Sequence, residues 1–231
     1  MKTLIKKYFC AVGLSCAGML LATNANAVLV STNGSLSSAG GAAAIIAAPA
    51  DASDDAAFNF GIQAFNEVIG HVLAANLMVD GGIVAAGTRV DSHMIFLNSG
   101  PGNSTALIEH GAGGNQNAAE FTFNADIVGV MSNSNGSLEV ASSAFLGAAG
   151  TTYPGSPFAA RGLEGNPFDN TANDWYLVSG SMISLGMRVT EPGDWIRVVT
   201  VSTVPIPAAL PLLGGGLAAL GFMGWRRKRA A

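Results

Sequence analysis

The 231-residue chain has almost no cysteine and, over most of its length, no lysine. Its two cysteines, Cys10 and Cys16, lie near the N-terminus, so the remainder can form no disulfide and offers no thiol nucleophile. Lysine is missing from residues 28–203, where fifteen acidic residues face four arginines, a formal net charge of −11. So few cations exclude a nucleic-acid partner, because phosphate binding relies on lysine and arginine.

Local signatures of catalysis are missing as well. No Gly-x-Ser-x-Gly nucleophile elbow occurs in the chain. The three histidines, His71, His93 and His110, are too far apart for the i, i+4 pair of a helical zinc site. We therefore expect a protein that is not an enzyme. A hydrolase stays open as an alternative, because the paired carboxylates of glycoside hydrolases are distant in sequence.

The N-terminus has the three parts of an export signal. Three lysines within the first seven residues precede an apolar stretch at residues 9–22. Ala25 and Ala27 then form a small-x-small cleavage site. We predict that residues 1–27 are a signal peptide, which implies the export machinery and signal peptidase as partners.

The C-terminus combines prolines, an apolar run and a basic end. No charged residue occurs from Ile206 to Trp225, and about 20 helical residues span the ~30 Å core of a bilayer. The run is followed directly by four cations: Arg226, Arg227, Lys228 and Arg229. These cations are costly to bury, so we predict one transmembrane helix with its C-terminus in the cytoplasm.

The residues that precede this run carry a family resemblance. Val204, Pro205, Pro207 and Ala208 match the VPLPA variant of a sorting motif, with Ile206 in place of its Leu. Together with the helix and the basic end, this tail resembles the PEP-CTERM sorting signals of Gram-negative bacteria. The resemblance implies a membrane transpeptidase of the exosortase type as a partner. It also implies an inner-membrane intermediate that passes to the cell surface or the extracellular space.

Between the two ends, the chain is predicted to be all-β. Residues 28–55 are rich in alanine, glycine and serine and are predicted to be a linker or a first strand. Residues 56–203 contain short strand-like runs separated by glycine-rich turns, which indicates an antiparallel β-sandwich or jelly-roll-like ectodomain. Three of these runs are Glu120–Met131, Leu138–Ala144 and Met182–Val189, although a helix within 141–147 is an alternative for the second. The C-terminal tail then occupies residues 204–231.

Two groups of oxygen-bearing side chains and one group of aromatic side chains are candidates for binding. Acidic residues cluster at 51–55, and a second cluster contains Asp169, Asn170, Asn173 and Asp174. The second is our candidate calcium site, because carboxylate and amide oxygens in a loop suit a hard cation. The alternative is turn formation by Asp and Asn. Four aromatic residues could form a carbohydrate platform or pack in the core: Tyr153, Trp175, Tyr176 and Trp195.

These observations predict an exported cell-surface or extracellular-matrix protein with a structural or binding role. An association with exopolysaccharide follows from the resemblance alone, by analogy with systems that carry such tails. Two alternatives stay open: a secreted hydrolase acting on extracellular polymer, and a single-span membrane protein that is never processed. Apart from the candidate calcium ion, no cofactor is expected.

Overall fold

The structure is a computed structural model, and it describes residues 28–53, 56, 58–100, 106–113, 118–164, 168, 172–190 and 193–202. These residues form strands β1 (Leu29–Gly34), β2 (Ala44–Ile45), β3 (Gln63–Asn66), β4 (His71–Val72), β5 (Leu77–Val79), β6 (Gly82–Val84) and β7 (Arg89–Leu97). They continue with β8 (Ile108–His110), β9 (Ala119–Phe123), β10 (Ile127–Met131), helix α1 (Ser137–Leu146), β11 (Trp175–Ser179), β12 (Met182–Val189) and β13 (Asp194–Val201).

The strands form two larger sheets and one hairpin. Sheet A has the order β1-β9-β12-β11, with β8 also paired to β12. Sheet B has the order β10-β13-β7-β3-β2, with β4 paired to β7, and β5 and β6 form a separate hairpin. Every pairing is antiparallel except that of β2 with β3. The prediction of an all-β, antiparallel fold is confirmed.

One hydrophobic cluster joins the two sheets. Phe121 and Phe123 of β9 contribute to it from sheet A, and Ile95 and Ile196 of β7 and β13 contribute from sheet B. The two phenylalanines lie on one face of β9, as their spacing predicts, and both are buried. Burying a large apolar side chain contributes roughly 1.5–3 kcal/mol, so this cluster is a major source of stability.

Sheet B is buried on both of its faces. Along β13, Ile196 and Val198 face the shared core, whereas Trp195 and Val199 belong to two clusters on the opposite face. That opposite face is covered by α1, by the β5–β6 hairpin and by the segment around Tyr153. This cover explains why β7 and β13 are buried on both faces, although antiparallel strands often have one solvated face.

Helix α1 replaces the strand that the sequence pattern favoured. The prediction of a strand at Leu138–Ala144 is wrong, because these residues lie inside α1. Gly136 at the helix start has a φ of 64°, and the side-chain carbonyl of Asn133 accepts a hydrogen bond from the backbone N–H of Leu138 at 3.0 Å. This contact satisfies a donor that the first helical turn leaves open. The alternative of a helix near residues 141–147 was therefore the better one.

A buried ion pair connects this cover to sheet B. Arg197 of β13 and Glu67, which follows β3, are both fully buried and form a bidentate pair of 2.7 and 2.9 Å. Arg197 also donates to the backbone carbonyl of Glu139 at 2.6 Å and to the hydroxyls of Ser142 and Ser143 in α1. All five guanidinium N–H groups thus have an acceptor, which is what a buried arginine requires.

The rings of Tyr153 and Trp195 lie 5.6 and 5.9 Å from the guanidinium carbon of Arg197, within the range of cation–π contacts.

Within the described residues, no helix has the length and apolar character needed to cross a membrane. The apolar run at 206–225 lies outside the described residues.

The ion pair gives the first testable prediction. Replacing Arg197→Met leaves the Glu67 carboxylate buried without its partner, so we expect the free energy of unfolding to fall by about 3–5 kcal/mol. The double variant Arg197→Met, Glu67→Met removes both charges and should regain at least half of that loss. Urea denaturation followed by circular dichroism measures both values.

The exposed ion pair between Arg188 and Glu109 is the matched control. Its atoms are 2.8 Å apart, but each side chain is more than 40% exposed. Arg188→Met should therefore cost no more than about 1 kcal/mol. An equal loss for Arg188→Met and Arg197→Met would show that the buried pair has no special role in stability.

Candidate functional site

Most of the residues predicted for sorting and calcium binding lie outside the described residues. These are Ala25, Ala27, Val204, Pro205, Pro207, Ala208, Arg226, Arg227, Lys228, Arg229, Asp169 and Asn170. From the candidate calcium site, the structure describes Asn173 and Asp174 only. The sorting and calcium assignments therefore stay predictions.

Asp174 belongs to a cluster of three acidic side chains that sequence reasoning did not bring together. Its carboxylate is hydrogen-bonded to those of Glu164 and Asp194. Asp194 is the first residue of β13, Asp174 directly precedes β11, and Glu164 follows Leu163 in the loop after α1. Oδ1 of Asp174 also accepts a hydrogen bond from the backbone N–H of Arg188 at 2.7 Å. This side-chain contact continues the pairing of β11 with β12 beyond its last backbone pair, Trp175 with Gly186. We call these three residues the carboxyl cluster.

The cluster opens onto two cavities. One, of about 50 Å³, is lined by Glu164, Gly193 and Asp194, among others. The other, of about 420 Å³, is lined by Glu164, Ala172, Asn173, Asp174 and Arg188. Asn173, one of the predicted calcium ligands, thus lies beside the cluster.

Burial makes these carboxyl groups weak acids. It raises the pKa of Asp194 well above its usual range, and the charges of Asp174 and Glu164 raise it further. Burial, with the charge of Asp174 second, raises the pKa of Glu164 to about 7. Burial also raises the pKa of Asp174, although the N–H of Arg188 opposes this effect. The cluster therefore holds protons near neutral pH and titrates as a unit.

The close spacing of the cluster limits its chemistry. The carboxyl pairs of glycoside hydrolases are separated by roughly 5–10 Å, so that a sugar and a water molecule fit between them. Asp174 is in hydrogen-bond contact with each of the other two carboxyl groups, so neither of these two pairs leaves such a space. Within the described part of the chain, no group of three or more His, Cys, Asp or Glu side chains is arranged to hold a metal ion.

Two of the three histidines are parts of the folded core. His93 is fully buried, and its ring nitrogens contact Asn66 Oδ1 at 2.8 Å and Thr200 Oγ1 at 3.1 Å. The same Asn66 oxygen accepts the N–H of Leu29, so Nδ1 of His93 must be the donor. Burial lowers the pKa of His93 to about 3.

His110 links two loops in a similar way. Its Nδ1 accepts the backbone N–H of Ile62 at 3.0 Å, and its Nε2 donates to the carbonyl of Ser35 at 2.8 Å. Burial lowers its pKa, although the hydrogen bond to Ser35 opposes the shift. Both histidines therefore use their ring nitrogens to hold the fold together.

The four aromatic candidates do not form a surface platform. Trp175, Tyr176 and Trp195 are all at least 95% buried, and Tyr153 is half-buried against Trp195. The Trp175 indole N–H donates to the carbonyl of Gly111 at 2.8 Å and lies so close to Gly186 that a Cβ there would clash. Their packing in the core is the alternative that the structure supports.

A different aromatic residue lies at the surface, where the edges of the two sheets meet. Phe168 is 56% exposed, and its ring contacts that of Tyr176 edge-on with 5.4 Å between centroids. Two adjoining pockets of about 280 and 270 Å³ share Phe168 and Asp80 as lining residues. The first lies between β10, at the edge of sheet B, and β11, at the edge of sheet A. We call the two pockets together the Asp80 groove.

Asp80 is held in place by the surrounding fold. Its backbone N–H donates to the carbonyl of Val130 at 2.8 Å, which fixes the turn of the β5–β6 hairpin against β10. Oδ2 of its carboxylate accepts hydrogen bonds from Ser132 Oγ at 2.7 Å and from the Tyr176 hydroxyl at 3.0 Å. Burial, and then the charge of Asp80, raises the pKa of Tyr176 above its usual range, so the hydroxyl stays a donor.

Sequence reasoning missed both of these sites for the same reason. The cluster and the groove each combine residues from at least three separate segments, and no local spacing marks them. The turn signal at Asp80-Gly81-Gly82 was visible in the sequence, but it indicates a turn and no ligand.

Comparison with known proteins gave no match: no family model, no curated protein and no solved structure is significantly similar to the chain.

The carboxyl cluster predicts an unusual dependence of stability on pH. Because the folded state raises its pKa values, it binds more protons than the unfolded chain. The cluster's contribution to stability is therefore complete below about pH 4 and is lost as pH rises through about 7. Asp194→Asn removes one of these acids and leaves an amide that can donate to Asp174. The variant changes the free energy of unfolding relative to the parent. We expect this change to be roughly 1–3 kcal/mol more favourable at pH 8 than at pH 4.5.

Urea denaturation of the variant and the parent at both pH values measures this difference. The buried histidines change stability in the opposite direction, but they do so equally in both proteins and cancel. Asp126→Asn, at an exposed position outside the cluster, is the control and should show no pH-dependent gain. If Asp194→Asn destabilises the protein equally at pH 4.5 and pH 8, the cluster does not hold protons as described.

Proposed function

We propose that this chain is an exported cell-surface or extracellular-matrix protein with a structural or binding role in association with exopolysaccharide. It reaches its destination through a signal peptide and a C-terminal tail that an exosortase-like transpeptidase processes. The observation that carries this proposal is the order of three features within residues 204–231: the Pro-x-Pro motif, the apolar run and the basic end.

The bounds of the folded domain support the proposal. β1 begins at Leu29, two residues after the predicted signal cleavage at Ala27. β13 ends at Val201, three residues before the sorting motif begins at Val204. Both processing steps would therefore leave every described strand in one piece, as expected of removable ends on a self-contained domain.

The architecture supports a binding role more than a catalytic one. We interpret the two antiparallel sheets and their shared core as a β-sandwich or jelly-roll-like ectodomain, of which extracellular binding domains are common examples. The carboxyl cluster is the strongest argument for the hydrolase alternative, but Asp174 is in hydrogen-bond contact with both of the other carboxyl groups, which is closer than the pairs used in that chemistry. The Asp80 groove is the better candidate for a binding site, because it combines apolar walls with a few fixed polar groups.

Mass spectrometry of the protein recovered from cells and medium tests the sorting proposal. We expect a mature form that begins at Val28 and ends near residues 204–209. The double variant Pro205→Ala, Pro207→Ala should prevent C-terminal processing, because it removes the motif and keeps the apolar run. Pro211→Ala, a proline change inside that run, is the matched control and should be processed normally.

Recovery of an intact C-terminus at Ala231 as the sole mature form would contradict the proposal. It would favour instead the alternative of a single-span membrane protein that is never processed. Equal processing of the double variant and the Pro211→Ala control would show that another feature of the tail directs the cleavage.

A further inference from the structure

We propose that the Asp80 groove binds a chain of neutral pyranose sugars, a neutral polysaccharide. This inference rests on the proposed function, since it supplies the site for the binding role. Sugars of this class present apolar C–H faces and polar hydroxyl edges, so a suitable site needs an exposed aromatic ring beside fixed hydrogen-bonding groups. The groove contains both.

Phe168 supplies the aromatic surface. More than half of the residue is exposed, and its position is supported by the edge-on contact with the buried Tyr176 ring. Because Phe168 lines both pockets, a sugar stacked on it can continue into either one.

Asp80 supplies the fixed acceptor. Oδ2 of its carboxylate already receives two short hydrogen bonds, from Ser132 Oγ and the Tyr176 hydroxyl. Oδ1 receives one longer hydrogen bond, 3.3 Å from the backbone N–H of Ser132. A carboxylate oxygen can accept two hydrogen bonds, so Oδ1 keeps capacity for a ligand hydroxyl. The donors on Oδ2 hold the carboxylate in one orientation before the ligand arrives, which reduces the entropic cost of binding.

The two pockets differ in character along the groove. The one between the sheet edges has apolar walls that include Val128, Leu177 and Val178, each at least 36% exposed. The other is lined, besides Asp80, Phe168 and Leu163, by small or polar residues: Gly81, Ser132, Asn133 and Ser134. Each pocket is close to the ~300 Å³ at which small-molecule sites begin. Together they offer an extended path for successive sugar units, with the apolar and polar surfaces that such units require.

Charge decides which polysaccharides fit. Among the described residues that line these two pockets, Asp80 is the one carboxylic acid and none is a cation. Residues 28–203 as a whole carry a formal net charge of −11. An acidic polysaccharide would be repelled both by the groove and by the domain, whereas a neutral one would not.

Affinity electrophoresis of the full-length chain in mild detergent tests the inference. The gels contain either a soluble neutral β-glucan or the acidic polysaccharide alginate. We expect the β-glucan to retard the protein and alginate to have no effect. Phe168→Ala and Asp80→Asn should each weaken binding of the β-glucan about tenfold, because each removes one of the two recognition elements.

Two control variants match these changes closely. Phe60→Ala alters another phenylalanine that is 55% exposed and has an edge-on aromatic neighbour, Phe58. Asp51→Asn alters another aspartate that accepts a hydrogen bond from a serine hydroxyl, that of Ser53 at 2.6 Å. Both controls should change the affinity less than twofold. Thermal unfolding of all four variants shows whether any loss of binding reflects loss of the fold.

Three results would overturn the inference. They are no retardation by the neutral β-glucan, stronger retardation by alginate, or equal effects of the groove variants and their controls. None of these results affects the sorting proposal, which is tested separately by the termini of the mature protein. A processed protein that binds no neutral glycan would thus refute this inference alone.

Discussion

The buried pair of Arg197 and Glu67 sets the main constraint on this fold. A guanidinium and a carboxylate can leave water only where every donor and acceptor finds a partner. Strand β13 supplies the arginine, the end of β3 supplies the glutamate, and α1 supplies a carbonyl and two hydroxyls. The pair therefore requires α1 to cover sheet B. This cover adds a third layer to an otherwise two-sheet architecture and buries β7 and β13 on both faces.

The polar residues of the domain separate into two groups with different roles. The first group includes His93 and His110, which have both ring nitrogens engaged inside the fold. The carboxyl cluster and the Asp80 groove lie instead where segments from different sheets end and meet. At such boundaries the backbone ladder stops, so side chains complete the hydrogen bonding and some of them remain accessible to ligands. Asp174, whose carboxylate accepts the backbone N–H of Arg188, is an example of a side chain that completes the hydrogen bonding.

Local patterns predicted much of the secondary structure because strands depend on alternation and turns. The run Met182–Val189 is β12 with the same bounds, and Phe121 and Phe123 share a buried face of β9. The strand prediction at α1 was wrong for a physical reason. Leu138–Ala144 is short and moderately apolar, so its own pattern does not determine its conformation. Its helical state depends on contacts with Asn133, which precedes the run, and with Arg197, which is distant in the chain. Likewise, the predicted run Glu120–Met131 divides at a turn, so that β9 and β10 belong to different sheets.

The sequence by itself determined the all-β class, the lack of cysteine in residues 28–203, the division of charge and the order of the Pro-x-Pro motif, the apolar run and the basic end, because each depends on composition or on neighbouring residues. It could not determine which acids share protons or which aromatic residues stay exposed. Glu164, Asp174 and Asp194 become one group, and Asp80 meets Phe168 and Tyr176, through the pairing of strands that are far apart in the chain. Burial and contact between such residues are properties of the packed sheets, so only the tertiary structure decided them.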